Sequence, residues 1–316
     1  MPAILFMSPS DNPGQWREAM EDRLPGVEFR FWSKDADKDE TGNKAEIDHA
    51  LVWQPHPGVL KSLPNLKAIF SLGAGVDHLS TDPDLPTHIP VVRLVDRCLT
   101  QGMSEYVIYW VIHFHRKMGV YAKFAVGNTW KKMRQADAEQ LRVGILGLGE
   151  LGGDAARKLV PLHYQVAGWA RTAKTISGVE CFVGADQLIP FLNRTDILVC
   201  LLPLTPDTAG IINAKTLAAL PKGAFVINCA RGGHVVDDDL LTALDSGHIA
   251  GATLDVFHTE PLPQDHPYWA HEKVNITPHV ASLTVAHSAS AWIAMNIQLI
   301  EAGKPPRNTV DPARKY

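Results

Sequence analysis

Cysteine is scarce here, and long apolar runs and a net positive charge are missing; each lack closes off a class of protein. The chain has 316 residues and four cysteines, Cys98, Cys181, Cys200 and Cys229, far apart and without a C-x-x-C pair. Three stand in or beside apolar runs, so they read as small buried thiols rather than a disulfide framework or a metal site. No metal is expected. No stretch approaches the roughly 18 consecutive apolar residues of a membrane-spanning helix. The start, M-P-A-I-L-F-M-S-P, lacks a basic region and its apolar run is too short for a signal peptide, so a cytoplasmic location is expected. A net charge of −4 argues against a nucleic-acid partner. Neither a G-x-S-x-G elbow nor an H-E-x-x-H pair occurs, which leaves hydrolase and zinc readings with little support. There is no internal repeat at solenoid periods and no low-complexity segment.

What is present is an ordinary globular balance, 46% apolar and 20% charged, long enough for about two domains. The organising stretch is Arg142 to Arg171. An apolar run (Val143, Ile145, Leu146) leads into Gly147-Leu148-Gly149-Glu150-Leu151-Gly152, then a helix-like segment, then a second apolar run ending at Trp169. Strand, glycine turn, helix and strand form the context that a dinucleotide-binding fingerprint needs. Gly147 allows the tight turn, Gly149 lets the backbone approach a pyrophosphate, and Gly152 lets helix and strand pack closely. The free N–H groups at the helix start then face the phosphates.

Elsewhere, apolar runs at Ala3–Met7, Val27–Phe31, Leu51–Trp53, Leu66–Leu72 and Ile89–Val95 predict strands. Asp11-Asn12-Pro13 predicts a helix start, and Pro57–Leu63 a short helix. Gly102–Val120 predicts one long helix whose apolar residues nearly encircle it (Val107, Ile108, Trp110, Val111, Ile112, Phe114), hence a buried one. It fits a place between domains or against a second subunit. After the glycine unit, strands are expected at Asp196–Leu201, Ala224–Asn228, Gly251–Asp255 and Val274–Ile276, with helices at Ala214–Leu220 and Asp237–Ser246. A last helix is expected at Leu283–Ala302. This alternation implies parallel sheets covered on both faces.

Three segments past predicted strands hold the chemistry-bearing residues. In Asn228-Cys229-Ala230-Arg231-Gly232-Gly233, the Arg231 guanidinium suits a carboxylate gripped by two parallel hydrogen bonds, or is a plain surface arginine. In Leu254–Pro263, Asp255 ends a strand, and Glu260 either orients a histidine or is a solvated loop acid. In Ile276-Thr277-Pro278-His279-Val280-Ala281-Ser282, His279 can give or take a proton near neutral pH. One among 14 histidines means little alone; it stands out because the other candidates occupy equivalent strand ends. Leu72-Gly73-Ala74-Gly75-Val76-Asp77 is either a ligand-binding turn or a bare strand–helix turn.

Together, G-L-G-E-L-G, N-C-A-R-G-G, L-D-V-F-x-x-E-P-L-P and T-P-H resemble the D-isomer-specific 2-hydroxyacid dehydrogenases. W-A-R-T, L-G-A-G-V-D-H and H-V-V-D-D-D-L-L look closest to the bacterial glyoxylate/hydroxypyruvate reductase A group. The resemblance implies an α/β fold of two doubly wound parallel-sheet domains, a Rossmann cofactor domain (99–286) inserted into a flavodoxin-like substrate domain (1–98 and 287–316). The active site would lie in the cleft between them. It implies that Arg231 holds the 2-oxo acid, that His279 protonates the carbonyl oxygen as hydride arrives, and that Glu260 keeps His279 protonated. The backbone of Ala74 and Gly75 would bind the substrate carboxylate. Trp53 would wall the pocket or sit in the core. Asp255 would lie near the nicotinamide. Pro203 and Cys229 would line the cofactor groove, with Glu150, Leu151, Ala230 and Ala281 among the other cofactor contacts. A homodimer is also implied.

One place departs from an NAD pattern. An NAD enzyme carries an acid about 20 residues past the glycines to bind the ribose hydroxyls. Here the second strand ends at Trp169-Ala170-Arg171-Thr172-Ala173-Lys174, without an acid. Arg171, Thr172 and Lys174 would attract a 2′-phosphate, so NADPH is expected over NADH. The resemblance to the reductase A group implies reduction of small 2-oxo acids, glyoxylate to glycolate and hydroxypyruvate to D-glycerate. The alternatives are a dehydrogenase for another D-2-hydroxy acid, or a corepressor-like protein that senses nicotinamide nucleotides.

Overall fold

The computed structural model describes residues 2–79 and 82–310. The chain divides into two compact units, Met1–Leu99 with Thr284–Tyr316, and Thr100–Leu283. In chain order the first unit opens with β1 (Ala3–Met7), α1 (Pro13–Arg23), β2 (Glu28–Phe31), β3 (Ile47–Val52), β4 (Ala68–Ser71) and β5 (Val91–Val92). Next come α2 (Arg97–His115), inside which the division falls, and α3 (Met118–Val126). The second unit continues with β6 (Arg142–Leu146), α4 (Glu150–Leu159), β7 (Gln165–Ala170), β8 (Glu180–Val183), α5 (Leu188–Asn193), β9 (Ile197–Cys200), α6 (Ala214–Ala219), β10 (Ala224–Asn228), α7 (Asp237–Asp245), β11 (Ile249–Leu254) and β12 (Val274–Ile276). Finally α8 (Ala286–Glu301) belongs to the first unit.

The first unit's sheet is parallel in the order β2-β1-β3-β4-β5. Alternate side chains of β1 feed opposite faces: Ile4 and Phe6 join a core with Trp16 and Met20 of α1 and Ile293 and Ile297 of α8. Leu5 and Met7 join a second core with Ile69 and Leu60. The second unit's sheet is also parallel, in the order β12-β11-β10-β9-β6-β7-β8. Its central strands are apolar on both faces: Leu198 and Cys200 pack on one side, Ile197 and Val199 on the other. Sheets buried on both sides produce such unbroken apolar runs. Each large side chain so buried contributes about 1.5–3 kcal/mol.

Several expectations shift. The predicted helix Gly102–Val120 starts earlier, at Arg97, and breaks at Lys117, which takes a left-handed conformation (φ 55°) before α3 begins. The helix is not buried all round, since Tyr109 is 58% and Ile112 38% exposed. Strand β3 begins at Ile47 rather than Leu51. Its polar residues are paid for locally: Asp48 accepts from Ala3 N at 3.1 Å and pairs with Lys67 at 2.9 Å, while buried His49 meets Glu301 at 3.3 Å. The predicted strand Ile89–Val95 shrinks to Val91–Val92, and the helix Pro57–Leu63 to one tight turn, Leu60–Ser62. The last helix starts at Ala286 rather than Leu283. Strand β8 and helix α5 went unread. Among the described residues no helix is long and apolar enough to cross a membrane.

Candidate active site

The strand order of the second unit reverses between β6 and β9. Chain connections leave in opposite directions there, and the carboxyl ends open a crevice. The glycine turn sits at this point. Gly147 has φ 99°, and a Cβ on it would meet Leu201 O at 2.7 Å. A Cβ on Gly152 would lie 1.8 Å from Gly147 O, so helix and strand are in backbone contact. Gly149, the N-cap of α4, is different: a Cβ there would touch nothing within 4 Å. The space in front of it is open where a pyrophosphate would rest on the first turn of α4. Glu150 is exposed there, and Leu151 is half-buried. The steric limits at Gly147 and Gly152 and the open helix start at Gly149 fit a dinucleotide.

Arg171, Thr172 and Lys174 follow β7, the neighbour of β6, and all three are exposed. Pro203, after β9, is exposed, and its carbonyl accepts from Thr208 Oγ1 at 2.6 Å. Cys229 is buried with its thiol donating to Cys200 O at 3.7 Å, so only its backbone can face a ligand. Burial pushes that thiol well above its usual range, which keeps it a neutral packing group.

The adjacent strands β10, β11 and β12 lead into the segments that carry the candidates Arg231, Glu260 and His279. Buried Asn228 builds the Arg231 turn: its amide donates to Arg231 O at 2.9 Å and its carbonyl accepts from Ala230 N at 3.2 Å. Buried His234 also faces Arg231 O at 3.0 Å and Pro203 O at 3.3 Å, tying two strand-end turns together. The Arg231 side chain is half-buried, and one Nη1–H reaches Ala230 O at 2.7 Å. Gly232 is glycine because a Cβ would fall 1.9 Å from the Phe257 carbonyl carbon.

After β12, His279 stands at φ 53° with its Nδ1 2.7 Å from Glu260 Oε2. The other carboxylate oxygen accepts from Phe257 N at 2.9 Å. Burial opposes ionisation of Glu260, but the hydrogen bonds from His279 and Phe257, with the charges of His279 and Arg231, outweigh it and lower its pKa. An ionised Glu260 can only accept, so Nδ1 carries a hydrogen and Nε2 points away from the pair. Asp255 is fully buried at the end of β11. Its oxygens accept from Thr277 Oγ1 (2.5 Å), Val280 N and Ala281 N (both 2.9 Å). Its carboxylate therefore shapes the loop that carries His279 and Ala281. Asn228, His234, Thr277 and Tyr106 were not singled out from sequence. Each is a buried or half-buried polar residue at or facing a strand end, a signal that sequence shows only weakly.

In the first unit, a Cβ on Gly73 would lie 2.7 Å from the Trp53 ring, which also packs on His78 with centroids 4.4 Å apart. Ser71 Oγ donates to Gly75 O at 2.9 Å. Trp53, Ala74 and Gly75 are half-buried and lie together around this turn.

A nucleotide cradle at the switch point and an acid–base pair on neighbouring strand ends define a dinucleotide-dependent oxidoreductase. Residues 108–281 match the family model for the NAD-binding domain of the D-isomer-specific 2-hydroxyacid dehydrogenases. The chain is 41% identical over 318 aligned residues to glyoxylate/hydroxypyruvate reductase A of Serratia proteamaculans, covering 99% of both chains. A D-isomer-specific 2-hydroxyacid dehydrogenase from Xanthobacter autotrophicus Py2, solved with NADPH and MES, matches with a TM-score of 0.96 and 43% identity, covering 100% of this chain and 99% of that one. An NADPH-dependent glyoxylate/hydroxypyruvate reductase from Sinorhizobium meliloti, solved with NADP and sulfate, matches at 0.93 and 38% identity over all of both chains. The chain belongs to the D-isomer-specific 2-hydroxyacid dehydrogenases.

Proposed function

We infer that this protein reduces small 2-oxo acids with NADPH, glyoxylate to glycolate and hydroxypyruvate to D-glycerate. The observation that carries the reading is the 2.7 Å His279–Glu260 pair on the same sheet edge as the glycine cradle. The Serratia and Sinorhizobium relatives carry these substrates in their names, and the Xanthobacter and Sinorhizobium structures hold NADPH or NADP. The bound nicotinamide supplies hydride. Arg231 grips the carboxylate and carbonyl of the substrate. His279 Nε2 gives its proton to the carbonyl oxygen, and Glu260 stabilises the protonated ring until then. Ala74 and Gly75 offer backbone N–H groups to the carboxylate, and Trp53 borders that turn. Holding the reactants in attack geometry supplies roughly 7–11 kcal/mol, and acid catalysis about 10²–10⁴-fold, so positioning is the larger effect.

Arg171, Thr172 and Lys174 receive the 2′-phosphate of NADPH, with Pro203, the Cys229 and Ala230 backbone, Asp255 and Ala281 along the cofactor's path. We also assign a homodimer, because exposed apolar side chains gather along α2, α3 and the segment after them: Tyr109 at 58%, Val126 at 88% and Trp130 at 98%. Free Cys200 and Cys229 fit a reducing, cytoplasmic setting. Following NADPH absorbance on adding glyoxylate, hydroxypyruvate, pyruvate or phosphohydroxypyruvate tests the reading. Turnover with the first two is expected. NADPH binding without turnover of any 2-oxo acid would point instead to a nucleotide sensor.

A further inference from the structure

The loop that carries His279 is held from a residue far away in sequence. Thr277 opens this loop, and its hydroxyl has two neighbours: Asp255 Oδ1 at 2.5 Å and Tyr106 Oη, on α2, at 2.7 Å. The proton order follows from chemistry. An ionised carboxylate only accepts, so Thr277 spends its one hydrogen on Asp255. Tyr106 must then be the donor to Thr277. Asp255 in turn accepts from Val280 and Ala281 N, on the far side of His279, and its own carbonyl accepts from His279 N at 2.8 Å. His279 sits between these anchors in a left-handed conformation that a non-glycine residue adopts only where its surroundings impose it. Burial raises the Tyr106 hydroxyl above its usual range, so it remains a donor at any working pH.

We propose that Tyr106 and Thr277 are positioning residues for the reaction, a two-step hydrogen-bond relay that fixes Asp255 and through it the backbone angle of His279. This rests on the reading of His279 as proton donor. Without the relay, the imidazole still pairs with Glu260 but wanders from the line to the substrate carbonyl, and small misplacements cost rate steeply. The relay touches neither the glycine cradle nor Arg231, so kcat falls further than NADPH affinity or the KM for the 2-oxo acid.

The test is steady-state kinetics and NADPH fluorescence titration on Tyr106→Phe, Thr277→Val, Thr277→Ser, the Tyr106→Phe/Thr277→Val double variant and His279→Ala. Tyr106→Phe keeps the ring and removes one neutral hydrogen bond, so kcat is expected to fall about two- to tenfold. Thr277→Val should fall at least as far, and Thr277→Ser, which keeps both bonds, should retain wild-type kcat. The double variant should lose no more than Thr277→Val, because the two bonds act in series. Wild-type kcat in Tyr106→Phe, additive losses in the double variant, or failure of serine to replace threonine would each overturn the relay. If His279→Ala itself turns over near the wild-type rate, the proton-donor reading falls and takes the relay with it. If His279→Ala is dead while Tyr106→Phe is unimpaired, only the relay falls.

Discussion

Two glycines of one turn separate folding from cofactor binding. At Gly152 an added Cβ would stand 1.8 Å from Gly147 O and 3.0 Å from Gly147 C, both backbone atoms fixed between β6 and α4. Neither can rotate away, so Gly152→Ala must push the helix off the sheet. Overpacking typically costs about 1–3 kcal/mol, and backbone that cannot give way puts Gly152→Ala at about 3 kcal/mol or more. At about 2–4 °C per kcal/mol for a domain of this size, Tm should fall by roughly 6 °C or more. Gly149 offers the contrast. Its φ of −77° and ψ of −159° suit any residue, and its Cβ would meet open space. Alanine is a poorer N-cap by about 0.5–1 kcal/mol, and the stiffer unfolded chain offsets this by about 0.4–1 kcal/mol. The Gly149→Ala protein should therefore melt within a degree or two of wild type. In the holoenzyme that methyl stands where the pyrophosphate must approach the helix start. Losing one charge-assisted hydrogen bond there costs roughly 1.5–3 kcal/mol, or about 10- to 150-fold in Kd. Thermal unfolding and NADPH fluorescence titration read the two effects. Wild-type NADPH affinity in Gly149→Ala would show that the dinucleotide does not lie on this turn, and an unshifted Tm in Gly152→Ala would refute the packing argument.

Arg171→Asp should reverse the cofactor preference from NADPH to NADH, because a carboxylate repels the 2′-phosphate and bonds the free ribose hydroxyls; kcat/KM with each cofactor measures it, and an unchanged ratio sinks the assignment. Glu260→Gln keeps a hydrogen bond to His279 but removes the charge that stabilises the protonated ring, so kcat should fall about tenfold with NADPH Kd unchanged; wild-type kcat would refute the pairing role. Buried His49 has its pKa lowered, chiefly by burial and partly against the pull of Glu301, while its Nδ1 finds no partner among the described residues. A histidine depressed in the folded state binds its proton first in the unfolded chain, so its contribution is intact above the unfolded pKa of about 6.5 and is lost as pH falls from there toward the folded value. Between pH 7 and pH 5, Tm of wild type should drop more than Tm of His49→Gln; parallel curves would show that His49 is not the group responsible.

The elements easiest to read from sequence were those with an unbroken apolar run and a clear stop, such as β9 and the Val143–Leu146 run of β6, because a strand buried on both faces shows no polar break within the run. Strand β3 was read short because Asp48 and His49 interrupt its apolar run, and only the fold reveals that Ala3, Lys67 and Glu301 satisfy them. The break at Lys117 has no proline to announce it in the sequence; it shows only as the left-handed conformation of that residue. Strand β8 lies at the sheet edge with only partly buried residues, so its hydrophobic signal is weak.

The site divides in the same way. Arg231, Glu260 and His279 stood out as candidates because each follows a strand at an equivalent place and lies in a motif that resembles one family. Residues that hold them were hidden for the opposite reason: Asn228 and Thr277 are spent on backbone and side-chain partners that only the folded arrangement of the strand ends brings near. Asp255 shows the consequence. Its place at a strand end suggests a group that meets the nicotinamide, yet its oxygens are taken up by Thr277, Val280 and Ala281. A carboxylate so committed sets the position of the loop that carries His279. On the proposed role of His279 as proton donor, the spacing of β11 and β12 would decide where the proton is delivered, and the sheet would share the work of the imidazole.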